Sequence, residues 1–262
     1  MSNEQKKYLK KIKTRKWGII FSQIIIVILF LGIWEYLAQK NIINSFVFSS
    51  PSKIFETIIN LALQNNLFHH IFVTLYEVLI AFILGIFLGF IIAIILYEIP
   101  LLAEIIDPFL TMLNSLPKVA LGPLIIILAG ANIKSIIIMA LLINLIISII
   151  TIYNGFLSVD YIKIKLAKTF NATRTQILKY VIIPSSYNTI ISSLKLNISM
   201  SLIGVVMGEF LVSQAGLGYL IIYGTQVFNL NLVMSGILIL IIISFLLYKL
   251  VTYLENKLIN NS

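Results

Sequence analysis

Residues 71–97 read IFVTLYEVLIAFILGIFLGFIIAIILY, and Glu77 is the one charge in the run. A helix of this length rises about 40 Å at 1.5 Å per residue, more than the roughly 30 Å hydrocarbon core of a bilayer. Polar and apolar residues do not alternate with period two, so a helix is favoured over a barrel strand. Further apolar runs lie at 17–38, 109–129, 133–153, 189–212 and 232–252. Pro108, Pro117, Gly122 and Pro123 interrupt the third run, whose first part is compatible with lying along the membrane surface. The reading is an all-α polytopic membrane protein with about six transmembrane helices and one membrane domain.

Composition agrees. Of 262 residues, 60% are apolar and 11% charged, against about 25% charged in soluble domains. This excludes a soluble enzyme, a disordered chain and a fibrous one. Without cysteine there is no disulfide framework, thiolate metal site or Cys nucleophile. The net charge of +9 reports membrane topology rather than nucleic-acid binding.

The basic arm 1–16 holds Lys6, Lys7, Lys10, Lys11, Lys13, Arg15 and Lys16. Basic residues beside a first span stay in the cytoplasm, and the long apolar run that follows has no small-residue cleavage site, so it reads as an uncleaved anchor. Six spans then place both termini and the loop between the fourth and fifth spans in the cytoplasm. That loop adds Lys163, Lys165, Lys168, Arg174 and Lys179, and the C-terminal end adds Lys249 and Lys257. Fourteen cations thus fall inside against three outside, Lys40, Lys53 and Lys134, with Lys118 and Lys195 within or beside spans. The membrane domain covers 17–255 and a short cytoplasmic tail 256–262. Outside, Pro51 and Ser52 open a short helix through about Leu63. Trp17, Trp34, Tyr36, Tyr97, Tyr248 and Tyr253 sit near run ends, as interfacial aromatics do.

The cytoplasmic loop 156–186 is the longest polar interruption, and its part Asp160–Ser186 reads as two short helices joined at a corner. Ile162, Leu166 and Phe170 form an apolar stripe at i, i+4 and i+8, with Lys165 and Lys168 off the stripe. Asn171 follows, a residue suited to a left-handed stop. Thr173 with Gln176 makes a capping box. The second helix runs from about Arg174 to Ile183, where Pro184 ends or kinks it. Such an elbow either docks a partner or packs against its own membrane domain.

Here the chain resembles the permeases of ATP-binding-cassette (ABC) importers, whose loop signature is Glu-Ala-Ala, three residues, Gly, nine residues, then Ile, any residue, Leu-Pro. Lys165-Leu166-Ala167 stands for the first three, Asn171 for the Gly, and Val181, Ile182, Ile183 and Pro184 for the ending, with every spacing kept. Lys165, Leu166 and Asn171 depart from the pattern, and Lys165 reverses a charge. Further resemblance across 46–255 is to the branch importing sulfonates, taurine, nitrate or thiamine-precursor pyrimidines. It rests on Phe48-Ser49-Ser50-Pro51-Ser52, Asp107-Pro108, Leu116-Pro117-Lys118-Val119-Ala120-Leu121-Gly122-Pro123-Leu124, Gly208-Glu209-Phe210-Leu211 and Gly216-Leu217-Gly218-Tyr219-Leu220.

The resemblance implies a homodimer of two permease copies in the lipid of a prokaryotic cell membrane, together with two cytoplasmic ATPase subunits and an extracytoplasmic substrate-binding protein. It implies no cofactor, metal, nucleic-acid partner or catalytic residue in this chain. It also implies that the elbow is a coupling helix, with Lys165, Leu166, Ala167, Phe170, Asn171, Ala172, Thr173, Val181, Ile183 and Pro184 at the ATPase contact.

Candidate pathway residues are Glu209, Glu77, Asn144, Pro117 and Lys118. A carboxylate within a span is expensive and faces a cavity or partner by default, so Glu209 and Glu77 read either as pathway residues or as interfacial ones. Asn144 reads as an interhelical hydrogen bonder or a substrate contact. Lys118 follows Pro117 in a broken helix, a feature of transport paths, or it snorkels to an interface. Lys195 reads as an inner-boundary anchor. His69 and His70 are adjacent and do not converge on one metal. Gly85 with Gly89, and Gly204 with Gly208, allow close helix approach. A secondary transporter driven by an ion gradient is the alternative, but no repeat supports it.

Overall fold

The computed structural model describes the backbone of residues 3–64 and 66–260, and their side chains apart from those of 3–9, 13, 16, 45, 47, 259 and 260. Of the basic arm, the side chains of Lys6, Lys7, Lys13 and Lys16 therefore lie outside the described ones.

The first helix, α1 (Asn3–Gln39), carries residues of the basic arm and the first apolar run in one continuous rod. A short α2 (Ser45–Phe48) leads to α3 (Pro51–Leu63), which has the bounds expected for the helix opened by Pro51 and Ser52. Ser50 caps α3 by accepting from Lys53 N, and Pro51 occupies the first turn, where its missing N–H costs nothing. The long spans follow the apolar runs: α4 (Asn66–Glu98), α7 (Ile133–Leu157), α11 (Tyr187–Val212) and α13 (Leu230–Asn260).

The third run is not a straight span. It becomes α5 (Pro100–Ser115), a 3₁₀ turn at Lys118–Leu121 and α6 (Gly122–Ala129), bent by 91° at the break. Pro117 removes a donor and biases Leu116 out of the helical region, where its ψ is 139°. Among the described residues, five helices are long and apolar enough to cross a membrane, or six with the bent pair as one span. Packing decides between these counts. A Cβ on Gly85 would meet Asn144 and one on Gly89 would meet Ser148, while Tyr97 packs on Phe156. Positions on α4 and α7 thus rise together, so the two helices are parallel. The chain between Glu98 and Ile133 must return across the same distance, and α5 with α6 makes that return.

Helices α4, α7 and α11 form the centre. On α11, a Cβ on Gly204 would stand 2.5 Å from Ala140 Cα and one on Gly208 2.9 Å from Ile136 Cα. Close approach brings short polar side chains into bonding range. Asn144 Nδ2 donates to Ala81 O at 2.8 Å and to Ser201 Oγ at 2.6 Å, and Ser148 Oγ donates to Asn197 Oδ1. Each such bond contributes about 0.6 kcal/mol on average within membranes, so packing supplies the larger share. Around this seam lie Val78, Ala81, Ala140, Ile198, Val205 and Leu217, with α13 contributing Ile239 and Ile243. At the start of α11 and the end of α13, Lys195 pairs with Glu255, which also accepts from Ser192 Oγ at 3.0 Å.

Gly204→Ala places a methyl against backbone that cannot yield, so it should destabilise the purified protein by about 1–3 kcal/mol. Gly32→Ala should be neutral or slightly stabilising, because nothing lies within 4 Å of its added Cβ and alanine is the better helix former. Unfolding midpoints in detergent check both.

Candidate functional site

Two constructions stand at opposite ends of the helical core. The first is the elbow. Asp160 caps α8 (Tyr161–Thr169) by accepting from Ile162 N at 2.8 Å. The helix stops at Asn171, whose φ is 56°. Ala172 N donates to Ala167 O at 3.2 Å and Asn171 N to Lys168 O at 3.0 Å. These are the paired bonds of a Schellman stop. Thr173 and Gln176 then form the reciprocal capping box, with Thr173 N donating to Gln176 Oε1 at 2.8 Å.

Beyond the box, α9 (Arg174–Ile177) passes through a π turn at Leu178–Ile182 into α10 (Ile183–Ser185). The sequence expected Pro184 to end or kink this helix at Ile183. Instead the helical path continues through Pro184 to Ser185. The widened turn, in which Ile183 N donates to Leu178 O, relieves the crowding that the proline ring imposes on the preceding turn.

The elbow has two faces. Ile164, Ala167, Ala172, Val181 and Ile183 pack towards Ala93, Ile152 and Phe156, at the ends of α4 and α7. Arg174 adds a polar staple. Its guanidinium donates to Tyr97 O at 3.1 Å from Nε and again from Nη2, stacks over the Tyr97 ring at 5.1 Å, and stands 3.9 Å from Glu98. The opposite face carries Ile162, Leu166 and Phe170, all exposed, with Phe170 at 78%. Lys165, Asn171 and Thr173 are exposed beside them, as is Pro184. The elbow is therefore packed on its own membrane domain by one face and free on the other. Of the residues expected at a partner contact, Ala167, Ala172, Val181 and Ile183 therefore belong to the packed face.

The second construction is at the other end of the core. Here α11 ends, the chain turns at Ser213–Gly216, and α12 (Leu217–Gln226) packs against α13. Glu209 is fully buried. Its Oε1 accepts from Thr74 Oγ1 at 2.6 Å and its Oε2 from Gly218 N at 2.5 Å. Thr74 Oγ1 in turn accepts from Leu217 N at 2.8 Å, and His70 Nδ1 accepts from Gly216 N at 3.0 Å. The carboxylate fills the space that side chains at Gly216 and Gly218 would occupy. Gly216 also has φ of 111°, which a residue with a Cβ resists. Glu209 thus bolts the start of α12 to α4 and is no interfacial carboxylate. Glu77 is buried beside it, with Oε2 unpartnered.

The five pathway candidates do not converge. Glu209, Glu77 and Asn144 lie inside the α4–α7–α11 packing. Pro117 and Lys118 lie at the exposed bend between α5 and α6, where Lys118 Nζ donates to Asn114 O at 2.7 Å. Sequence reasoning missed Arg174 as a staple, Thr74 and His70 as partners of the α11–α12 turn, and Asn197 in the seam. Their side chains are ordinary in the sequence, and only the contacts distinguish them.

Comparison with known proteins fits this architecture. Residues 85–260 match the family described as binding-protein-dependent transport system inner membrane component. The chain belongs to that family, as the permease subunit of an ABC importer, a class of transporter that works with an ATPase and a substrate-binding protein. It is 29% identical to a probable ABC transporter permease of Haemophilus influenzae, over 92% of this chain and 97% of that one. It is 28% identical to the putative aliphatic sulfonates transport permease SsuC of Bacillus subtilis, over 87% and 83%, and 24% identical to the taurine transport permease TauC of Escherichia coli, over 87% and 85%. Among solved structures, a chain of the inward-facing MetNI methionine ABC transporter superposes with a TM-score of 0.65 at 15% identity, covering 75% of this chain and 97% of that chain. A bacterial ABC transporter for the acidic polysaccharide alginate gives 0.66 at 13%, covering 95% and 99%. Family membership sets aside the ion-gradient alternative.

Glu209→Ala leaves Gly218 N–H and the Thr74 hydroxyl without their acceptor, so it should cost about 1–3 kcal/mol. Glu209→Gln, which retains one acceptor oxygen, should cost less. Unfolding midpoints in detergent, with protease cleavage at the α11–α12 turn as a local readout, check the order.

Proposed function

We propose that two copies of this chain pair across the membrane and enclose a path for a small polar or anionic solute of the sulfonate, taurine, nitrate or thiamine-precursor kind. Two ATPase subunits dock on the elbows from the cytoplasm, and a binding protein delivers solute from outside. Hydrolysis belongs to the ATPase subunits, and this chain supplies no catalytic residue. The substrates for which SsuC and TauC are named, together with that of the formylaminopyrimidine permease ThiX at 25% identity, support the solute class. Half-buried Lys118, beside exposed Pro117, is the cation at the break of the bent helix, and we assign this bend to the border of the path. Glu209, Glu77 and Asn144 hold the wall behind it.

The single observation that carries the coupling role is Phe170. Burying a side chain of this kind is worth about 1.5–3 kcal/mol, yet a Schellman corner and a capping box hold it rigidly outward. A partner pocket that received Phe170 would recover that free energy at little entropic cost. Closure of the ATPases on ATP would draw the two elbows together. The Arg174 staple and the apolar inner face would pass the displacement to the ends of α4 and α7, changing access to the path.

Phe170→Ala should weaken ATPase association roughly 30-fold, the scale of a 2 kcal/mol hot spot, and abolish binding-protein-stimulated hydrolysis in proteoliposomes. Asn171→Gly should behave as wild type, whereas Asn171→Val should lose coupling, since a β-branched residue resists positive φ. Retention of both association and hydrolysis by Phe170→Ala would refute docking at the elbow.

Orientation has its own test. The chain has no native cysteine. Single cysteines at the exposed positions Asn66 and Asn229 should react with an impermeant maleimide in intact cells, and one at exposed Thr175 should react only after the membrane is opened. Labelling of position 175 from outside would invert the topology.

A further inference from the structure

The elbow's outer face is as distinctive in charge as in shape. On α8 the stripe of Ile162, Leu166 and Phe170 is bracketed, at 100° per residue, by Lys163 on one side and Lys165 on the other. Lys168 is exposed farther round, and Lys179 is exposed on the second limb. The acid at the start, Asp160, is committed to capping α8, and no other acid occurs between it and Glu209. Arg174 turns inward to Tyr97 and Glu98, and Lys163 Nζ reaches Ser185 Oγ at 3.4 Å. Among the described residues Lys165 and Lys168 take part in neither ion pair. The outer face is thus an apolar knob set in uncompensated positive charge.

We propose that the ATPase groove receiving this elbow is apolar at its base and acidic at its rim, with a carboxylate opposite Lys165; this rests on the coupling role assigned above. Rim charges of opposite sign accelerate encounter and fix register, while like charges exclude wrong partners. With Lys165 at the position where the importer signature has Glu, the elbow selects its own ATPase against one whose rim is basic. Anionic lipid headgroups are the competing source of negative charge. The geometry disfavours them, because the lysine-flanked stripe lies opposite the face that packs on the membrane helices.

The test measures association of full-length permease in nanodiscs with the ATPase subunit that supports its transport, across ionic strength and in neutral or phosphatidylglycerol-containing lipid. Wild-type association should weaken as salt rises. The double variant Lys165→Glu with Lys168→Glu should bind at least tenfold more weakly at low salt, with a flattened salt dependence in both lipids. Replacing rim acids of the ATPase by lysine should restore it. Equal unfolding midpoints for wild type and double variant confirm that the exposed substitutions leave the fold intact. Wild-type binding by the double variant, with Phe170→Ala still defective, overturns the acidic rim and leaves the coupling role standing. Wild-type binding by both variants overturns the coupling role itself. A charge effect confined to anionic nanodiscs assigns the lysines to lipid and also overturns the proposal.

Discussion

Everything in this chain hangs on how closely α4, α7 and α11 approach one another. Within a bilayer, apolar surface gains nothing by leaving lipid for another helix, so association must come from contact and from bonds that lipid does not offer. Gly85, Gly89, Gly204 and Gly208 remove the side chains that would hold the backbones apart. Asn144, Ser148, Asn197 and Ser201 then meet in the space left. The polar groups add modest energy, but they also set register, since Asn144 finds Ala81 O and Ser201 Oγ at only one sliding position.

A stiff core of this kind transmits displacement only if its ends are attached to something. At the elbow end the attachment is Arg174, with the elbow's packed apolar face; at the opposite end it is Glu209, tying α12 and the turn before it to α4. Both use a charged group to hold backbone: a guanidinium on the terminal carbonyl of Tyr97, and a carboxylate on the first amide of α12's second residue, Gly218. Charge-assisted bonds of this type are stronger and more directional than neutral ones. They join segments that would otherwise move independently of the three central helices. The bent α5–α6 pair is the contrasting element. It crosses the bilayer with an exposed break at Pro117 and Lys118, so it is the crossing best suited to change shape while the core keeps its own.

Much of this was legible in the chain. Long apolar runs placed α4, α7 and α11 to within a few residues, because backbone polar groups in lipid must be satisfied within the segment, which leaves the helix as the answer. Local rules were equally reliable at the elbow. Asn171 adopts positive φ and Thr173 closes its box with Gln176, because both features depend on residues only a few positions apart. The chain's own Pro117 announced a break, though not its 91° angle.

What required the tertiary structure was every question of what a polar residue faces. Glu209 and Asn144 look alike in sequence as isolated polar residues in apolar runs. One binds the amide of Gly218 nine residues on and the hydroxyl of Thr74 on another helix; the other bridges α4 and α11. The π turn before Pro184 also belongs to the structure, since a proline alone permits a stop, a kink or a widened turn. The sequence by itself determined where the long apolar helices lie and the shape of the elbow's corner, because those follow from backbone hydrogen bonding over short separations. Which face of the elbow is anchored and which stands free, and which carboxylate is a bolt rather than a lining, was decided only in three dimensions, because it depends on partners between 9 and 143 residues away in the chain.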